Sequence, residues 1–282
     1  MINDVLLTYG KQHVPHTKDA ANISYSLVKL GAWWQNKRLS DVTAENCRAY
    51  VNDRSPGAAR RHLEILRAAI KHWNRERGPI AVPEIVMPDK GPPRERWLTR
   101  SEAARLLWAA RKHDDKHTFV RRHLCRFILL GLYTGSRKTV LLSMTWNQID
   151  LRSGVMSRRP PGVAEDARKR TPKVRLGRKI LAHLRRWKRI DGPMARYVCD
   201  SQGQVLQTLA ASFPNAVERA GLEVEGPNKV TPHTLRHTRA TWLMQAGVDM
   251  WEAAASLGMS VTMLERTYGH HHPDWQRNAA NV

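Results

Sequence analysis

Residues 231–270, TPHTLRHTRATWLMQAGVDMWEAAASLGMSVTMLERTYGH, form the stretch that decides the fold of this chain. Thr231 or Thr234 can start a helix, and His233 and Arg236, three residues apart, share one face of that helix. Two glycines then mark turns before a tyrosine near the end of the stretch. The pattern predicts short helical segments that carry polar side chains toward a common region.

A second polar position lies upstream, just after an apolar helix. Arg137 follows Gly135, which can make a tight turn. Two arginines bind the non-bridging oxygens of a phosphodiester bidentately and offset charge that grows in the transition state. The hydroxyl of Tyr268 can act as a nucleophile that keeps a covalent phosphoryl intermediate. Alone, each of these residues is more often a surface or packing residue; their order and spacing favour phosphodiester chemistry.

The charge of the chain favours a polyanionic partner. Its 282 residues include 47 Lys and Arg against 25 Asp and Glu, a formal net charge of +22 with a pI near 10.7. Fifteen basic and three acidic residues fall within residues 152–196, where interleaved apolar residues argue against a disordered arm. The commonest cytoplasmic polyanion is nucleic acid. Three widely spaced cysteines, the lack of a signal peptide and the lack of an apolar run of ~20 residues predict a cytoplasmic protein.

Two domains are predicted. Residues 1–78 show helical periodicity, 79–96 form a proline-rich linker, and 97–282 form the second domain. We expect a mainly α fold with a small antiparallel sheet in the second domain. The elements expected are helices starting near residue 23, at Thr43, over 58–77, at the capping box Thr99-x-x-Glu102 and over 118–133, then short strands around 149–151, 153–156 and 173–176.

These motifs resemble the tyrosine recombinase, or phage integrase, family. In that family a T-G-x-R box precedes an H-x-x-R helix, and the nucleophilic tyrosine follows the histidine of a Leu-Gly-His turn by nine residues. Here the box ends at Arg137, the turn ends at Met259, and Tyr268 lies nine residues after Met259. The resemblance covers almost the whole chain. It implies a helical core-binding domain and a catalytic domain that together clamp duplex DNA.

The resemblance also implies a role for each matched residue. Tyr268 attacks the scissile phosphate and forms a 3′-phosphotyrosyl link. Arg137 and Arg236 clamp that phosphate, with His233 beside them. The covalent link conserves a phosphoester bond, so no metal and no other cofactor is implied, and the His270–His272 run is not read as a metal site.

A lysine on a β-hairpin protonates the 5′-oxygen leaving group in this family. Counting back from the strand that ends near Leu176, we choose Lys169, with Lys173 as the second choice. Each of these lysines, read without the family, is a phosphate-contacting or merely solvated residue.

Two positions depart from the family pattern. Met259 stands where the family has His or sometimes Trp, and a thioether cannot donate a hydrogen bond to a phosphate. Either that contribution is lost, or a neighbour such as His270 supplies it. Val140 stands where an acidic residue often follows the first arginine, so a partner of that arginine is missing.

Further basic residues are expected to contact DNA, and double-stranded recombination sites are the expected partner. The resemblance implies a homotetramer on DNA and a monomer or weak oligomer when free, with no membrane association. The predicted contact residues are Arg60, Arg61, Arg67, Arg158, Arg159, Arg170 and Lys173.

Three functions stay open at this stage. The first is a site-specific recombinase (integrase) that integrates or excises a mobile element. The second is a catalytically impaired DNA-binding relative with an accessory or regulatory role, suggested by Met259 and Val140. The third is a topoisomerase with the same chemistry but no site preference. Strand exchange between two specific sites separates the first from the third.

Overall fold

The chain divides into two compact units, Met1–Pro93 and Arg94–Val282. The computed structural model describes residues 1–78, 84–91, 95–111, 122–160, 162–163, 171–201, 203–277 and 279. Each unit has its own buried apolar core. None of the helices in these ranges is both long enough and apolar enough to cross a bilayer.

Within its described residues, the first unit is a bundle of four α-helices. They are α1 (Ile2–Gln12), α2 (Ala20–Trp34), α3 (Ala44–Asn52) and α4 (Pro56–Arg77). The longest helix, α4, packs against the other three and buries Leu63, Leu66 and Ile70 among them. Thr43 caps α3 as predicted, because its hydroxyl accepts a hydrogen bond from the amide of Asn46 at 3.3 Å.

Helix α1 was not predicted, although its sequence carries the signal for a helix. Its buried residues Ile2, Val5, Leu6 and Tyr9 follow the spacing of one helical face. The first unit also reaches into the segment predicted as a linker, where Ile85 is buried in the bundle core.

The second unit is mainly helical and holds a small antiparallel sheet, which confirms the predicted fold class. Its helices are α5 (Arg100–Arg111), α6 (Arg122–Thr134), α7 (Lys138–Leu142), α8 (Arg178–Asp191), α9 (Ser212–Arg219), α10 (Thr234–Gln245), α11 (Met250–Leu257) and α12 (Val261–Tyr268). The predicted capping box is present, since Thr99 and Glu102 exchange hydrogen bonds of 2.8 and 3.2 Å.

The three predicted strands pair in sequence order. They are β1 (Ile149–Asp150), β2 (Val155–Ser157) and β3 (Lys173–Arg175), all antiparallel, with Met156 opposite Val174. Both of these residues face the core, and their neighbours along the strands are more exposed. A two-residue hairpin of β4 (Asp200–Ser201) and β5 (Gln204–Val205), which the sequence did not predict, lies after α8.

Candidate active site

The turn after α6 lies directly against α10 and α11. A Cβ on Gly131 of α6 would come within 2.8 Å of Leu235, so the missing side chain lets α6 and α10 pack closely. Gly135 adopts a left-handed φ of 62°, and a Cβ there would lie 2.4 Å from Leu257 Cδ2. Glycine at both positions therefore brings residues 134–137 next to the predicted H-x-x-R helix.

Arg236 joins the two turns that the sequence motifs predicted. Its Nη1 donates to the carbonyl oxygen of Gly135 at 2.7 Å and to that of Leu257 at 2.7 Å. Only 6% of the residue is exposed. Burial and the positive charge of Arg137 lower the pKa of Arg236 to about 10, whereas Tyr268 acts in the opposite direction. The guanidinium is thus held by backbone oxygens rather than by a carboxylate.

Arg137 stands at the same place, half-buried at the N-terminus of α7. Its Nη2 lies 3.5 Å from the carbonyl oxygen of Gly258, the residue after α11. Two arginines from different parts of the chain therefore converge on the turn that ends α11. A site with two guanidinium groups this close is suited to an anion with several oxygens.

Arg158, one of the predicted DNA contacts, is buried in this structure. This residue is 3% exposed, and it donates from Nε to Ser136 Oγ at 2.8 Å and from Nη2 to the carbonyl oxygen of Thr134. Burial and the charges of Arg236 and Arg137 lower its pKa to about 9. It lies under the T-G-S-R turn and supports it from inside.

Tyr268 ends α12 beside the arginines. The residue is 7% exposed, and its hydroxyl oxygen lies 2.6 Å from Nδ1 of His237. Burial raises the pKa of Tyr268 to about 12, although the positive charge of Arg236 opposes this rise. No role was predicted for His237, but its spacing of four residues from His233 was a usable signal, since such residues share a helical face.

His233 and His237 form a pair on α10. Their rings meet edge to face with centroids 4.7 Å apart. Burial of the imidazole and the charges of Arg236 and Arg137 lower the pKa of His233, although the residue as a whole is exposed to solvent. Burial, His233 and Arg236 lower the pKa of His237 to about 4. The lowered pKa of each imidazole favours its neutral form, which leaves the positive charge of the site on the arginines.

Three other positions discussed for the motif, Met259, His270 and Val140, take no part in the hydrogen bond between Tyr268 and His237. Met259 is half-buried and packs on the small core formed by α10, α11 and α12. His270 is exposed, and its ring centroid lies 4.0 Å from that of His271 with the two planes tilted by 47°, whereas the hydroxyl of Tyr268 is bonded to His237. Val140 packs against the main core.

The predicted DNA contacts on α4 have partners within the first unit. Arg60 donates to the carbonyl oxygen of Pro88 at 2.7 Å and pairs with Glu64. Arg61 pairs with Asp19 at 2.7 Å, and Arg67 donates to the carbonyl oxygen of Ile85 at 3.1 Å. Two of these three arginines thus hold residues 84–91 against α4. A guanidinium has five N–H donors, so Arg60 and Arg67 can contact DNA while they keep these bonds.

The sheet presents further basic residues. Lys173 is exposed at the start of β3, and Arg159 is half-buried just after β2. Lys169 and Arg170 lie outside the described residues. A cavity of about 280 Å³ beside Thr134 is lined by cations that were not predicted, namely Arg175, Arg178, Lys179 and Arg239.

The fold and site together define a class of protein: a mainly helical catalytic unit in which two arginines, a histidine and a buried tyrosine meet. The model of the phage integrase family matches residues 96–274. This chain belongs to the phage integrase family, as the sequence motifs predicted.

Several characterised relatives share part of the sequence. The integrase of Salmonella phage P22 is 27% identical over 219 residues, which are 74% of this chain and 52% of that protein. The tyrosine recombinase XerD of Pseudomonas putida is 28% identical over 227 residues, 76% of this chain and 71% of that protein. The chain thus spans about half the length of the first relative and most of the second.

Solved structures share the fold at lower identity. The Tn1549 transposon integrase, in complex with transposon right end DNA, superposes with a TM-score of 0.72 at 17% identity, covering 99% of this chain and 98% of that one. A lambda integrase dimer bound to a core site gives a TM-score of 0.74 at 19% identity, covering 96% and 78%. These matches confirm the two-domain architecture expected for a tyrosine recombinase.

Proposed function

We propose that this chain is a site-specific DNA recombinase that integrates or excises a mobile element through a 3′-phosphotyrosyl intermediate. The observation that carries the proposal is the meeting of Tyr268 with Arg236, which backbone oxygens hold at the T-G-S-R turn. A nucleophile beside buried cations is the arrangement that phosphoryl transfer requires. Membership of the phage integrase family supports the same chemistry.

The roles are those that the resemblance to the family implies for the matched residues. Tyr268 attacks phosphorus, and Arg137 and Arg236 bind the non-bridging oxygens and offset their growing charge. His233, which is exposed to solvent, hydrogen-bonds the same phosphate. Lys169 protonates the 5′-oxygen as it leaves. In this reaction one phosphate ester replaces another, so the rejoining step runs along the same path in reverse.

We further propose that the partner is double-stranded DNA and that the working assembly is a tetramer on two sites. The net charge of +22 supports a broad contact with the phosphate backbone. In the second unit Lys173, Arg159 and the cations of the cavity beside Thr134 supply that contact. The two structural relatives named above were both solved with DNA. The free protein is a monomer or weak oligomer and works in the cytoplasm.

A trapping assay tests the proposal. The protein is incubated with nicked duplexes tiled across the DNA that flanks its own gene, and denaturing gels detect a covalent adduct. We expect an adduct with the natural protein and none with Tyr268→Phe, which keeps the ring but lacks the nucleophile.

Binding without an adduct on any duplex contradicts the recombinase. The variant Met259→His then tests the impaired relative, because it restores the side chain that the family has at this position. An adduct that appears only in this variant shows decayed chemistry in the natural protein. An adduct on every duplex, without exchange between two sites, indicates a topoisomerase.

A further inference from the structure

The hydroxyl of Tyr268 has a neighbour that the roles above leave unused. Its oxygen lies 2.6 Å from Nδ1 of His237, and the ring centroids are 5.8 Å apart. We propose that His237 accepts the proton of the Tyr268 hydroxyl while that oxygen attacks the DNA phosphate. This inference rests on the proposed recombinase function and names a residue that carries one of its steps.

The surroundings of His237 suit a proton acceptor. The titratable groups that face it are Tyr268 from α12 and His233 and Arg236 from its own helix, α10. Burial and these neighbours keep the imidazole neutral. With the single ring proton on Nε2, the lone pair of Nδ1 points at the hydroxyl, and Tyr268 is the donor of the 2.6 Å bond. The buried hydroxyl is then oriented before DNA arrives.

The proton moves during the attack and not before it. Without DNA, a pKa of about 12 for Tyr268 and about 4 for His237 keeps the proton on the tyrosine. A bound phosphate places negative charge beside Arg236 and His233, which offsets the positive field that makes His237 a weak base. Formation of the bond from oxygen to phosphorus makes the phenol more acidic. Both changes favour transfer to Nδ1 at the transition state.

The step balances in both directions. On cleavage the bond from Tyr268 Oη to phosphorus forms and the bond from phosphorus to the 5′-oxygen breaks. The tyrosine proton goes to His237, and the leaving 5′-oxygen receives a proton from Lys169, the general acid proposed above. On rejoining, the 5′-hydroxyl attacks phosphorus and returns its proton to Lys169, while the bond from phosphorus to Tyr268 Oη breaks and His237 returns its proton to that oxygen.

Two variants separate proton transfer from simple packing. His237→Asn places an amide oxygen near the position of Nδ1, so it keeps a hydrogen-bond acceptor but cannot take up a proton. His183→Asn is the matched control, since His183 is exposed on α8 and contacts Trp187 instead. Far-UV circular dichroism and DNA binding verify that both variants fold. The rate of adduct formation is measured on a nicked duplex that the natural protein cleaves.

We expect His237→Asn to slow adduct formation by about 10²–10⁴, the range for general acid–base catalysis, and His183→Asn to leave the rate unchanged. A duplex with sulfur in place of the 5′-bridging oxygen needs no acid for its leaving group. It should therefore rescue Lys169→Ala but not His237→Asn. Above pH 7 the rate of the natural protein should level off, whereas that of His237→Asn should rise about tenfold per pH unit as Tyr268 ionises.

Three results overturn the inference while the recombinase stands. One is slowing of less than threefold in His237→Asn, and another is rescue of this variant by the sulfur duplex. The third needs no activity: a nitrogen NMR spectrum that finds the proton of neutral His237 on Nδ1. A natural protein that forms no adduct at all, and so does not differ from Tyr268→Phe, contradicts the recombinase itself. This result is distinct from the three above, in which the natural protein is active or the measurement needs no activity.

Discussion

Replacing Gly135 by alanine tests whether the close approach of two turns builds the site. Gly135 has φ +62°, and an alanine in this left-handed region costs roughly 1–2 kcal/mol. The added Cβ would also lie 2.4 Å from Leu257 Cδ2. Leu257 is 1% exposed in a packed core, so this overlap should cost about 1–3 kcal/mol more. We expect a total loss of about 2–5 kcal/mol in the free energy of unfolding of the second unit.

A second glycine isolates the backbone cost. Gly221 has φ +63° and no neighbouring atom within 4 Å of an added Cβ. Gly221→Ala should therefore lose only the roughly 1–2 kcal/mol of the left-handed conformation. The cysteines report each unit separately, because Cys199 is buried in the second unit and Cys47 in the first. Thiol labelling across a urea series gives an unfolding midpoint for each.

The two variants should lower the Cys199 midpoint by different amounts and leave the Cys47 midpoint in place. Equal losses for Gly135→Ala and Gly221→Ala would refute the reasoning, since the contact with Leu257 would then cost nothing. Adding Leu257→Ala to the natural protein and to the Gly135→Ala variant provides an independent check. The truncation should cost less in the Gly135→Ala variant than in the natural protein, because it relieves the overlap as it opens a cavity.

Three further outcomes are expected. Asp191→Asn should lower the free energy of unfolding of the second unit by about 3–5 kcal/mol, measured by Cys199 labelling. The reason is that the side chain of Arg126 is 4% exposed and bonds Asp191 through two contacts of 2.7 Å. A loss under about 1 kcal/mol would contradict this. The folded pKa of His237, about 4, lies below its unfolded value of 6.5, so protonation favours the unfolded chain. The stability should be complete above pH 6.5 and should fall by up to about 3 kcal/mol as the pH falls toward 4. Urea midpoints should show less of this loss in His237→Asn. DNA affinity should fall steeply between about 0.05 and 0.2 M salt as phosphate contacts release counterions, and a flat response in a filter-binding titration would exclude a broad backbone contact.

Much of the fold and the site geometry could be predicted from local patterns. Helical periodicity and capping residues located most helices, and the boxes ending at Arg137 and Arg236 indicated two segments that the structure brings together. Spacing alone does not show what holds Arg236. Its acceptors are backbone oxygens of Gly135 and Leu257, and the partner of a backbone oxygen depends on tertiary packing. The roles of the site residues remain predictions.

At Arg158, two patterns in the sequence favour opposite environments. The residue lies in a basic run, which favours a surface contact with a polyanion. The alternation along β2 carries the opposite signal, because Arg158 is two residues after the buried Met156 and so falls on the inward face. Helix α1 and His237 were missed for a similar reason. In each case the spacing of residues along a helix or strand carried the signal, whereas the prediction followed a motif or a charge.

The two bonds that hold Arg236, here called the frame of the site, do not depend on the other side chains of the site. Both acceptors belong to the main chain, so any residue that preserves the course of these two turns preserves the arginine. Position 259 lies at the end of one of the turns and contributes its main-chain N–H, which donates to the carbonyl oxygen of Ala254 at 3.1 Å, but its side chain makes neither bond to Arg236. Methionine can therefore replace a polar residue there without releasing the guanidinium. The side chains of such a site can change one at a time. A protein that loses one catalytic group keeps the buried arginine in place, and a later substitution can restore the lost group.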